Sequence, residues 1–442
     1  MEDLPFIPSL RRGGKRGGSE FTVTFFKLCD LSVLCGELIC YKFQKLVDKN
    51  NGQCTLRKNG DDSIRLYNLF EEKTHMIIGI PKEIKSDEYR VALIPVGVEE
   101  MIKHGHTVLV EKDAGMGSGI PDLEYKRTGA RIVDNPKEIY DQAQFIMKVK
   151  EPLPIEYPLL REDRIIFTFF HFAASKTLTD AVLKAKVVAI AYETIRDEHN
   201  QHPILTPMSE VAGRMSIQEG AKYLEKPMLG RGILLGGVPG VAPAEVVVVG
   251  GGVVGTNAAK VAAGLGARVT VLDINIERLR YLDDIMPKNV VTLMSNAHNI
   301  REKVKDADLL IGAVLIEGAR APYVVTKDMV QTMKTGAVII DVAIDQGGCI
   351  ETSKPTTHSN PIYKEYDVIH YCVTNIPGAV ACTSTHALTN VTLPYALEIA
   401  DKGYERAAQE NPAILRGINM VKGRVTNKAV ANAFGMDYRA FE

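Results

Sequence analysis

Short runs of apolar residues alternate with amphipathic segments along the chain from Met76 onward. In the first half of this region the apolar runs occupy 76–80, 107–111, 145–149, 165–170 and 187–193. Continuous runs rich in Val, Ile and Phe are typical of strands that are buried on both faces of a parallel sheet. The segments 97–105 and 175–185 place apolar residues at helical spacing and are predicted helices. This alternation predicts a domain built from βαβ units.

A second series of the same kind follows a long predicted helix at 208–225, for which Ser209 is the expected N-terminal cap. Its apolar runs occupy 246–249, 268–272, 309–314, 337–344 and 368–374. The segment 388–409 is again helical in pattern and is expected to pack back on the first domain. We therefore predict an α/β fold: two Rossmann-like, doubly wound parallel-sheet domains around a cleft, preceded by an N-terminal extension. The expected boundaries are 1–75 for the extension, 76–204 for the first domain, 205–380 for the second, and 381–442 for a return to the first.

The extension, residues 1–75, differs in character from the rest of the chain. It contains a basic, glycine-rich tract at 11–18 and a largely apolar segment at 21–43. Lys27, Asp30 and Glu37 interrupt that segment, so it resembles neither a signal-peptide core nor a membrane span. Three interpretations stay open: an organellar transit peptide, an additional module, and a wrongly assigned start codon.

Length, charge and cysteine content limit which kinds of protein and binding partner are compatible with this chain. With 442 residues the chain is long enough for two or three domains, and its net charge of −1 gives no basis for nucleic-acid or acidic-membrane binding. No apolar run reaches the length of a transmembrane helix. The chain has no CxxC pair, and we expect no metal site. Four of the seven cysteines lie in the first 54 residues: Cys29, Cys35, Cys40 and Cys54. Cys349, Cys372 and Cys382 are expected to be buried free thiols of an intracellular protein.

One glycine motif has the surroundings that a dinucleotide site requires. Gly250, Gly252 and Gly255 follow four valines and precede a predicted helix, and Asp273 ends the next predicted strand. Such a turn places free amides and the positive end of a helix dipole at the phosphates, while the acid accepts hydrogen bonds from the ribose. A carboxylate there repels a 2′-phosphate, so NAD is predicted over NADP. The spaced glycines at 114–119 lack this setting and predict a loop.

Polar residues that follow apolar strands are the candidates for chemistry, because ligands of open α/β sheets bind at the carboxyl ends of the strands. Arg90, Lys150, His171 and Asp345 occupy such positions. Each has a structural alternative: a core histidine, a cap of the turn 345–348, or a surface cation in a loop. Together they suit a dehydrogenase of amino or hydroxy acids. Two cations would bind a carboxylate, a histidine would exchange a proton, and an acid would support developing positive charge.

A family resemblance extends over residues 76–438. It rests on GIPKEIKSDEYRVALIP (79–95), VKEP (149–152), PMSEVAGRMS (207–216), VLDIN (271–275), IDVAIDQGGCIETS (340–353) and TSTHALTN (383–390). On these motifs the chain resembles bacterial-type L-alanine dehydrogenases, which are related to the NAD-binding part of proton-pumping nicotinamide nucleotide transhydrogenase. The resemblance implies an NAD-dependent, cytoplasmic homohexamer that reversibly converts L-alanine to pyruvate and ammonium. The segment MIIGIPKE resembles the N-terminus of the family, so Met76 is a candidate functional start.

The same resemblance implies roles for individual residues. Arg90 and Lys150 would bind the substrate, with Met208 beside them. His171 would act as the acid/base and Asp345 as the second catalytic residue. The cofactor would contact seven positions: Ser209, Gly250, Gly252, Gly255, Asp273, Ser295 and Asn375.

Two other functions compete with alanine dehydrogenase. An NAD(H)-binding component of a transhydrogenase would keep the glycine motif and Arg90, but it would not require the pair His171 and Asp345. A non-catalytic NAD-binding sensor would require none of the four polar residues. An assay for amino-acid-dependent reduction of NAD distinguishes the three.

Overall fold

The computed structural model describes residues 55–57, 63–65, 74–314 and 323–441. The chain divides into two compact units, Met1–Lys73 and Thr74–Glu442. In the first unit, strands β1 (Thr55–Arg57) and β2 (Ser63–Arg65) pair antiparallel. The four cysteines of the extension lie outside the described residues, and so do the basic tract and the segment 21–43.

The second unit contains two sheets, of which the first comprises eight of the described strands. These strands are β3 (Ile77–Ile80), β4 (Thr107–Glu111), β5 (Arg131–Val133), β6 (Phe145–Met147), β7 (Ile165–Thr168), β8 (Val188–Ala191), β16 (Ile418–Val421) and β17 (Arg424–Val425). Their order is β17-β16-β8-β7-β6-β3-β4-β5. The strands from β3 to β8 run parallel, whereas β16 pairs antiparallel with both β8 and β17.

The second sheet comprises seven of the described strands and has the order β11-β10-β9-β12-β13-β15-β14. The strands are β9 (Glu245–Val249), β10 (Arg268–Asp273), β11 (Val290–Met294), β12 (Leu309–Gly312), β13 (Val338–Asp341), β14 (Ile362–Glu365) and β15 (Val368–Tyr371). All pairs are parallel except β14 with β15.

Helices connect the strands of both sheets. Those that accompany the first sheet are α1 (Pro95–Lys103), α2 (Asp122–Arg127), α3 (Pro136–Gln142) and α4 (Lys176–Ala185). After α5 (Leu205–Tyr223), the second sheet is accompanied by α6 (Val253–Gly264), α7 (Ile276–Ile285), α8 (Ala297–Asp306) and α9 (Lys327–Val330). The C-terminal part contains α10 (Ala381–Lys402), α11 (Tyr404–Glu410), α12 (Pro412–Gly417) and α13 (Lys428–Phe434).

Both sheets are doubly wound in the same way. The chain starts in the middle at β3 or β9, adds two strands on one side, and then crosses to the other side at β6 or β12. This is the Rossmann order, and the point where the winding reverses is where such sheets bind ligands. Ile78 of β3, Val248 of β9, Met215 of α5 and Leu388 of α10 belong to one continuous buried apolar cluster. The two sheets therefore share a core through the two long helices.

The predicted fold class is confirmed, with two differences in the sheets. Each sheet carries antiparallel strands at one edge, where the sequence predicts parallel sheets alone. The predicted strands are also too long: 165–170 ends at Thr168, and 368–374 ends at Tyr371. The residues beyond these points form the loops at the carboxyl edge.

Two local predictions are wrong. Ser209 does not cap α5, because the helix begins at Leu205, five residues earlier than the cap prediction requires. Cys349 and Cys372 are buried free thiols as predicted, but Cys382 is exposed on the first turn of α10. The glycines at 114–119 lie in a loop, as predicted, and the loop contains a 3₁₀ turn at Met116–Ser118. No described helix has the length and apolar composition needed to cross a bilayer.

Candidate active site

The glycine turn after β9 is tight where the chain reverses and open where a ligand would approach. Gly250 has φ +103°, and a Cβ at Gly255 would lie 1.8 Å from the Gly250 carbonyl oxygen. Only glycine fits these two positions, because the first needs a positive φ and the second allows close packing of α6 on β9. Gly252 is the N-cap of α6, and a Cβ there would meet nothing within 4 Å. The open side of the turn therefore lies at the N-terminus of α6.

Asp273 is held in place beside this turn. Its Oδ2 accepts a hydrogen bond from Gly251 N at 2.7 Å, and its Oδ1 accepts one from Asn275 N at 2.8 Å. Ser295 follows the neighbouring strand β11, and its backbone N–H donates to the Asp273 carbonyl at 2.9 Å. Asp273 and Ser295 thus lie side by side at the carboxyl edge of the second sheet.

A dinucleotide fits this arrangement. The space above Gly252 can take a pyrophosphate against the amides of α6, and the fixed Asp273 carboxylate retains lone pairs for ribose hydroxyls. The sequence analysis did not identify Arg278. Its Nε donates to the Gly251 carbonyl and its Nη2 to Thr256 Oγ1, both at 2.6 Å. Arg278 therefore braces the turn from α7.

Arg90 lies in the loop after β3 and is 2% exposed, so it is not a surface cation. Its guanidinium forms a bidentate ion pair with the buried carboxylate of Glu88, a residue that the sequence analysis did not single out. Burial raises the pKa of Glu88, but the charge and hydrogen bonds of Arg90, together with the charge of Lys150, lower it to about 2. Glu88 is therefore ionised and holds Arg90 in one orientation.

The same guanidinium reaches two residues that are distant in sequence. Its Nη2 donates to Asn375 Oδ1 at 2.7 Å, and its Nη1 lies 3.0 Å from Met208 Sδ. Asn375 follows β15 in the second sheet, has φ +65°, and donates through Nδ2 to Glu88 Oε2 at 3.0 Å. Arg90, Met208 and Asn375 thus form one contact group that joins the two sheets through α5.

Lys150 lies close to this group at the end of β6. Burial lowers its pKa, and the positive charge of Arg90 lowers it further, whereas Asp345 and Glu88 act in the opposite direction. Its backbone is fixed by Glu83, whose Oε1 accepts hydrogen bonds from Val149 N at 2.6 Å and Lys150 N at 3.3 Å. The charge of Lys150 therefore interacts with Arg90, in the loop after β3, and with Asp345, which follows β13.

Asp345 lies in a 3₁₀ helix, Val342–Gln346, that follows β13, and its side chain is exposed. The alternative that it caps the adjoining turn is wrong, because Asp341 does so. The buried Asp341 carboxylate accepts hydrogen bonds from the backbone N–H groups of Ala343, Cys349 and Ile350 at 3.0–3.1 Å. Asp345 is left available for a ligand.

His171 is exposed at the end of β7, so the alternative of a core histidine is wrong. It has φ +50°, its ring stacks on Phe169 at 5.8 Å, and its backbone N–H donates to Glu193 Oε1 at 2.6 Å. A cavity of about 320 Å³ adjoins it and is also lined by Glu151. In the described part of the chain, no hydrogen bond joins the His171 side chain to Arg90, Lys150 or Asp345.

The structure thus brings the predicted residues other than His171 together in two groups. Arg90, Met208 and Asn375 are in direct contact, and Lys150 interacts electrostatically with Arg90 and with Asp345. The glycine turn, Asp273 and Ser295 lie at the carboxyl edge of the second sheet, and Ser209 follows Met208 on the first turns of α5. Within the described ranges, no cluster of three or more His, Cys, Asp or Glu side chains could hold a metal ion.

Comparison with known proteins identifies the family. The alanine dehydrogenase/PNT N-terminal domain matches residues 79–212, and the alanine dehydrogenase/PNT C-terminal domain matches residues 216–428. The chain belongs to the alanine dehydrogenase/PNT family. All residues of both groups lie inside these matched ranges, whereas residues 1–75 lie outside them.

Relatives within the alanine dehydrogenase/PNT family match over most of the chain. An alanine dehydrogenase of Methanococcus maripaludis is 59% identical over 368 residues, which are 83% of this chain and 99% of the relative. An alanine dehydrogenase of Bacillus subtilis is 56% identical over 364 residues, 82% of this chain and 96% of the relative.

Solved structures agree with the assignment to this family. An L-alanine dehydrogenase superposes with a TM-score of 0.79 at 49% identity and covers 81% of this chain and 99% of its own. A transhydrogenase from Sinorhizobium meliloti superposes with a TM-score of 0.68 at 24% identity, covering 80% and 99%, and shares the fold.

Proposed function

We propose that this chain catalyses the NAD-dependent, reversible oxidative deamination of L-alanine to pyruvate and ammonium. The observation that carries the proposal is the contact group of Arg90, Met208 and Asn375, with Lys150 and Asp345 beside it, at the junction of the two sheets. Two cations and one acid there suit an α-amino acid, and the high identity to alanine dehydrogenases supports alanine as the substrate.

In the proposed mechanism, Arg90 and Lys150 bind the substrate carboxylate. Glu88 keeps the Arg90 guanidinium oriented, so little ordering is left to be done when the substrate binds. Lys150 also contacts the carbonyl oxygen of pyruvate, where its charge stabilises the negative charge that develops on that oxygen. The lowered pKa of Lys150 makes it a better proton donor at that oxygen than an ordinary lysine.

Held at the glycine turn, NAD would supply the hydride acceptor for the alanine Cα. His171 takes the proton from the water that adds to the oxidised substrate carbon and returns a proton to the departing amine. Asp345 supports the positive charge that the substrate nitrogen and His171 carry during these steps. Gly250, Gly252, Gly255, Asp273, Ser295, Ser209 and Asn375 are the residues we propose to hold the cofactor.

The competing functions are less well supported. The transhydrogenase relative shares the fold at low identity, and a coupling component has no need for His171 and Asp345 at two strand ends. A non-catalytic sensor leaves the fixed Arg90–Glu88 pair without a purpose.

The test is spectrophotometric: purified protein is mixed with NAD and a panel of amino acids, and NADH absorbance is followed. The proposal expects NADH with L-alanine and slower formation with serine and 2-aminobutyrate, since one methylene is worth only about 1–3 kcal/mol in a pocket. If none of the amino acids in the panel gives NADH, the competing functions are favoured.

We further propose that the enzyme is a cytoplasmic homohexamer that binds neither nucleic acid nor membrane, with residues 76–204 and 381–442 as the substrate domain and 205–380 as the NAD domain. Light scattering after size exclusion tests the hexamer. The same measurement on a chain that begins at Met76, together with its activity, tests whether residues 1–75 contribute to either property.

A further inference from the structure

We propose that Glu193 is a positioning residue for catalysis: its carboxylate holds the backbone of His171 in the left-handed conformation that presents the imidazole to the substrate. This inference rests on the proposed function. Glu193 follows β8, and His171 follows the neighbouring strand β7. Glu193 belongs neither to the glycine motif nor to the proposed substrate contacts.

The conformation of His171 needs an explanation. Its φ of +50° lies in a region that residues other than glycine seldom adopt, and Cβ crowding makes that region unfavourable. Such a conformation persists only where the surroundings enforce it, and it is concentrated at functional sites. His171 is also exposed, so tight packing around its side chain does not enforce it.

The Glu193 carboxylate holds His171 in this conformation through two hydrogen bonds to the backbone. Oε1 accepts a hydrogen bond from His171 N at 2.6 Å, and Oε2 accepts one from Phe170 N at 3.2 Å. Two successive backbone N–H groups therefore point to one carboxylate, which fixes the orientation of the peptide that joins these residues. Hydrogen bonds to an ionised acceptor are stronger than those between neutral groups.

A second contact fixes the ring once the backbone is set. The His171 imidazole lies parallel to the Phe169 ring, with 5.8 Å between centroids and 2° between planes. Phe169 in turn packs edge-on against the buried ring of Tyr192, the residue before Glu193, with 5.1 Å between centroids. The short segment 192–193 thus holds His171 through both its backbone and its ring.

The test is a double-mutant cycle with Glu193→Gln and His171→Ala, measured as alanine-dependent NADH formation. Glutamine keeps the length of the side chain, but it offers one acceptor oxygen and turns an amide group toward the other N–H. We expect Glu193→Gln to lower kcat on the order of tenfold, while the KM for alanine and the Kd for NAD change less than about twofold. In the His171→Ala background the same substitution should change kcat by less than about twofold.

A matched control is available nearby. Asp197 is a carboxylate that also accepts two backbone hydrogen bonds, from His199 N at 2.9 Å and Gln201 N at 2.8 Å, both through Oδ1 and in an exposed turn away from the site. Asp197→Asn should leave kcat unchanged. If Glu193→Gln does not give folded protein by circular dichroism, Glu193→Asp, which keeps the charge on a shorter side chain, replaces it in the cycle.

Three results would overturn the inference: wild-type kcat in the Glu193 variant, an equal loss in the His171→Ala background, or an equal loss in Asp197→Asn. Absence of alanine-dependent activity in the wild-type protein is a different outcome. It would refute the proposed function itself, and the inference with it.

Discussion

Replacement of Glu88 by glutamine tests how strongly the buried ion pair with Arg90 stabilises the first sheet and its site. Both side chains are almost fully buried, at 0% and 2% exposure. Glutamine has nearly the same shape as glutamate but carries no charge, so the variant leaves the Arg90 guanidinium buried opposite a neutral group. Removal of one partner of a buried pair is costly because the remaining charge has lost both its solvent and its counter-ion.

The magnitude follows from the pKa of Glu88. The folded protein lowers it from 4.5 to about 2. At about 1.4 kcal/mol per pH unit, ionised Glu88 stabilises the folded state by about 3 kcal/mol at neutral pH. The shift in Tm per kcal/mol falls with chain length and is about 1 °C for a chain of this size, so Glu88→Gln should lower Tm by roughly 3–4 °C.

The direction in which stability changes with pH also follows from the lowered pKa of Glu88. Because the folded pKa lies below the unfolded value, this stabilisation is fully present above 4.5 and is lost as the pH falls toward 2. The difference in Tm between the wild type and the variant should therefore be the same at pH 8 and pH 6. A difference that shrinks between these values would contradict the assignment to Glu88.

Tyrosine fluorescence and circular dichroism report the unfolding, since the chain has no tryptophan. The control is Glu99→Gln, which removes an exposed partner of Lys103 on α1. Exposed pairs of this kind are worth about 0–1 kcal/mol, so the control should change Tm little. Equal Tm values for the wild type and Glu88→Gln would show that the ion pair with Arg90 does not stabilise the fold.

Three further changes probe the site. His171→Ala should lower kcat by about 10²–10⁴-fold and leave the Kd for NAD unchanged by fluorescence titration; near-normal turnover would remove His171 from its role. Asp273→Ala should shift the ratio of kcat/KM for NADP over NAD upward by roughly tenfold or more, because the carboxylate that repels a 2′-phosphate is gone; an unchanged ratio would show that Asp273 does not select the cofactor. Gly255→Ala should weaken NAD binding, since its Cβ would lie 1.8 Å from the Gly250 carbonyl oxygen. The control Gly264→Ala, which has open space around it, should bind NAD normally. Equal binding by both variants would contradict the role of the tight turn.

The parts of the site that depend on local sequence could be predicted. The glycine turn, Asp273 and the strand-end positions of Arg90, Lys150 and His171 each follow from a motif and the pattern around it. The strand at 290–294 was not predicted although four of its five residues are apolar, and only the first of them, Val290, is buried. The edge strands β16 and β17 are short, and their antiparallel pairing depends on the rest of the sheet being present.

The contacts that assemble the site could not be derived from the chain itself. Arg90 meets Met208 and Asn375 across 118 and 285 residues, and no local pattern carries that information. The motif 79–95 contains Glu88, but only the fold shows that it pairs with Arg90. Asp341 ends β13 and Asp345 lies four residues later, and only the fold shows that Asp341 is buried and caps the turn whereas Asp345 is exposed.

The central claim is that this chain by itself deaminates alanine with NAD. The most direct measurement is the stoichiometry of the reaction: purified protein, L-alanine and NAD, with NADH, pyruvate and ammonium determined in the same sample. We expect equal amounts of the three products, with formation abolished in Arg90→Ala. No NADH, or NADH without matching pyruvate and ammonium, would contradict the central claim.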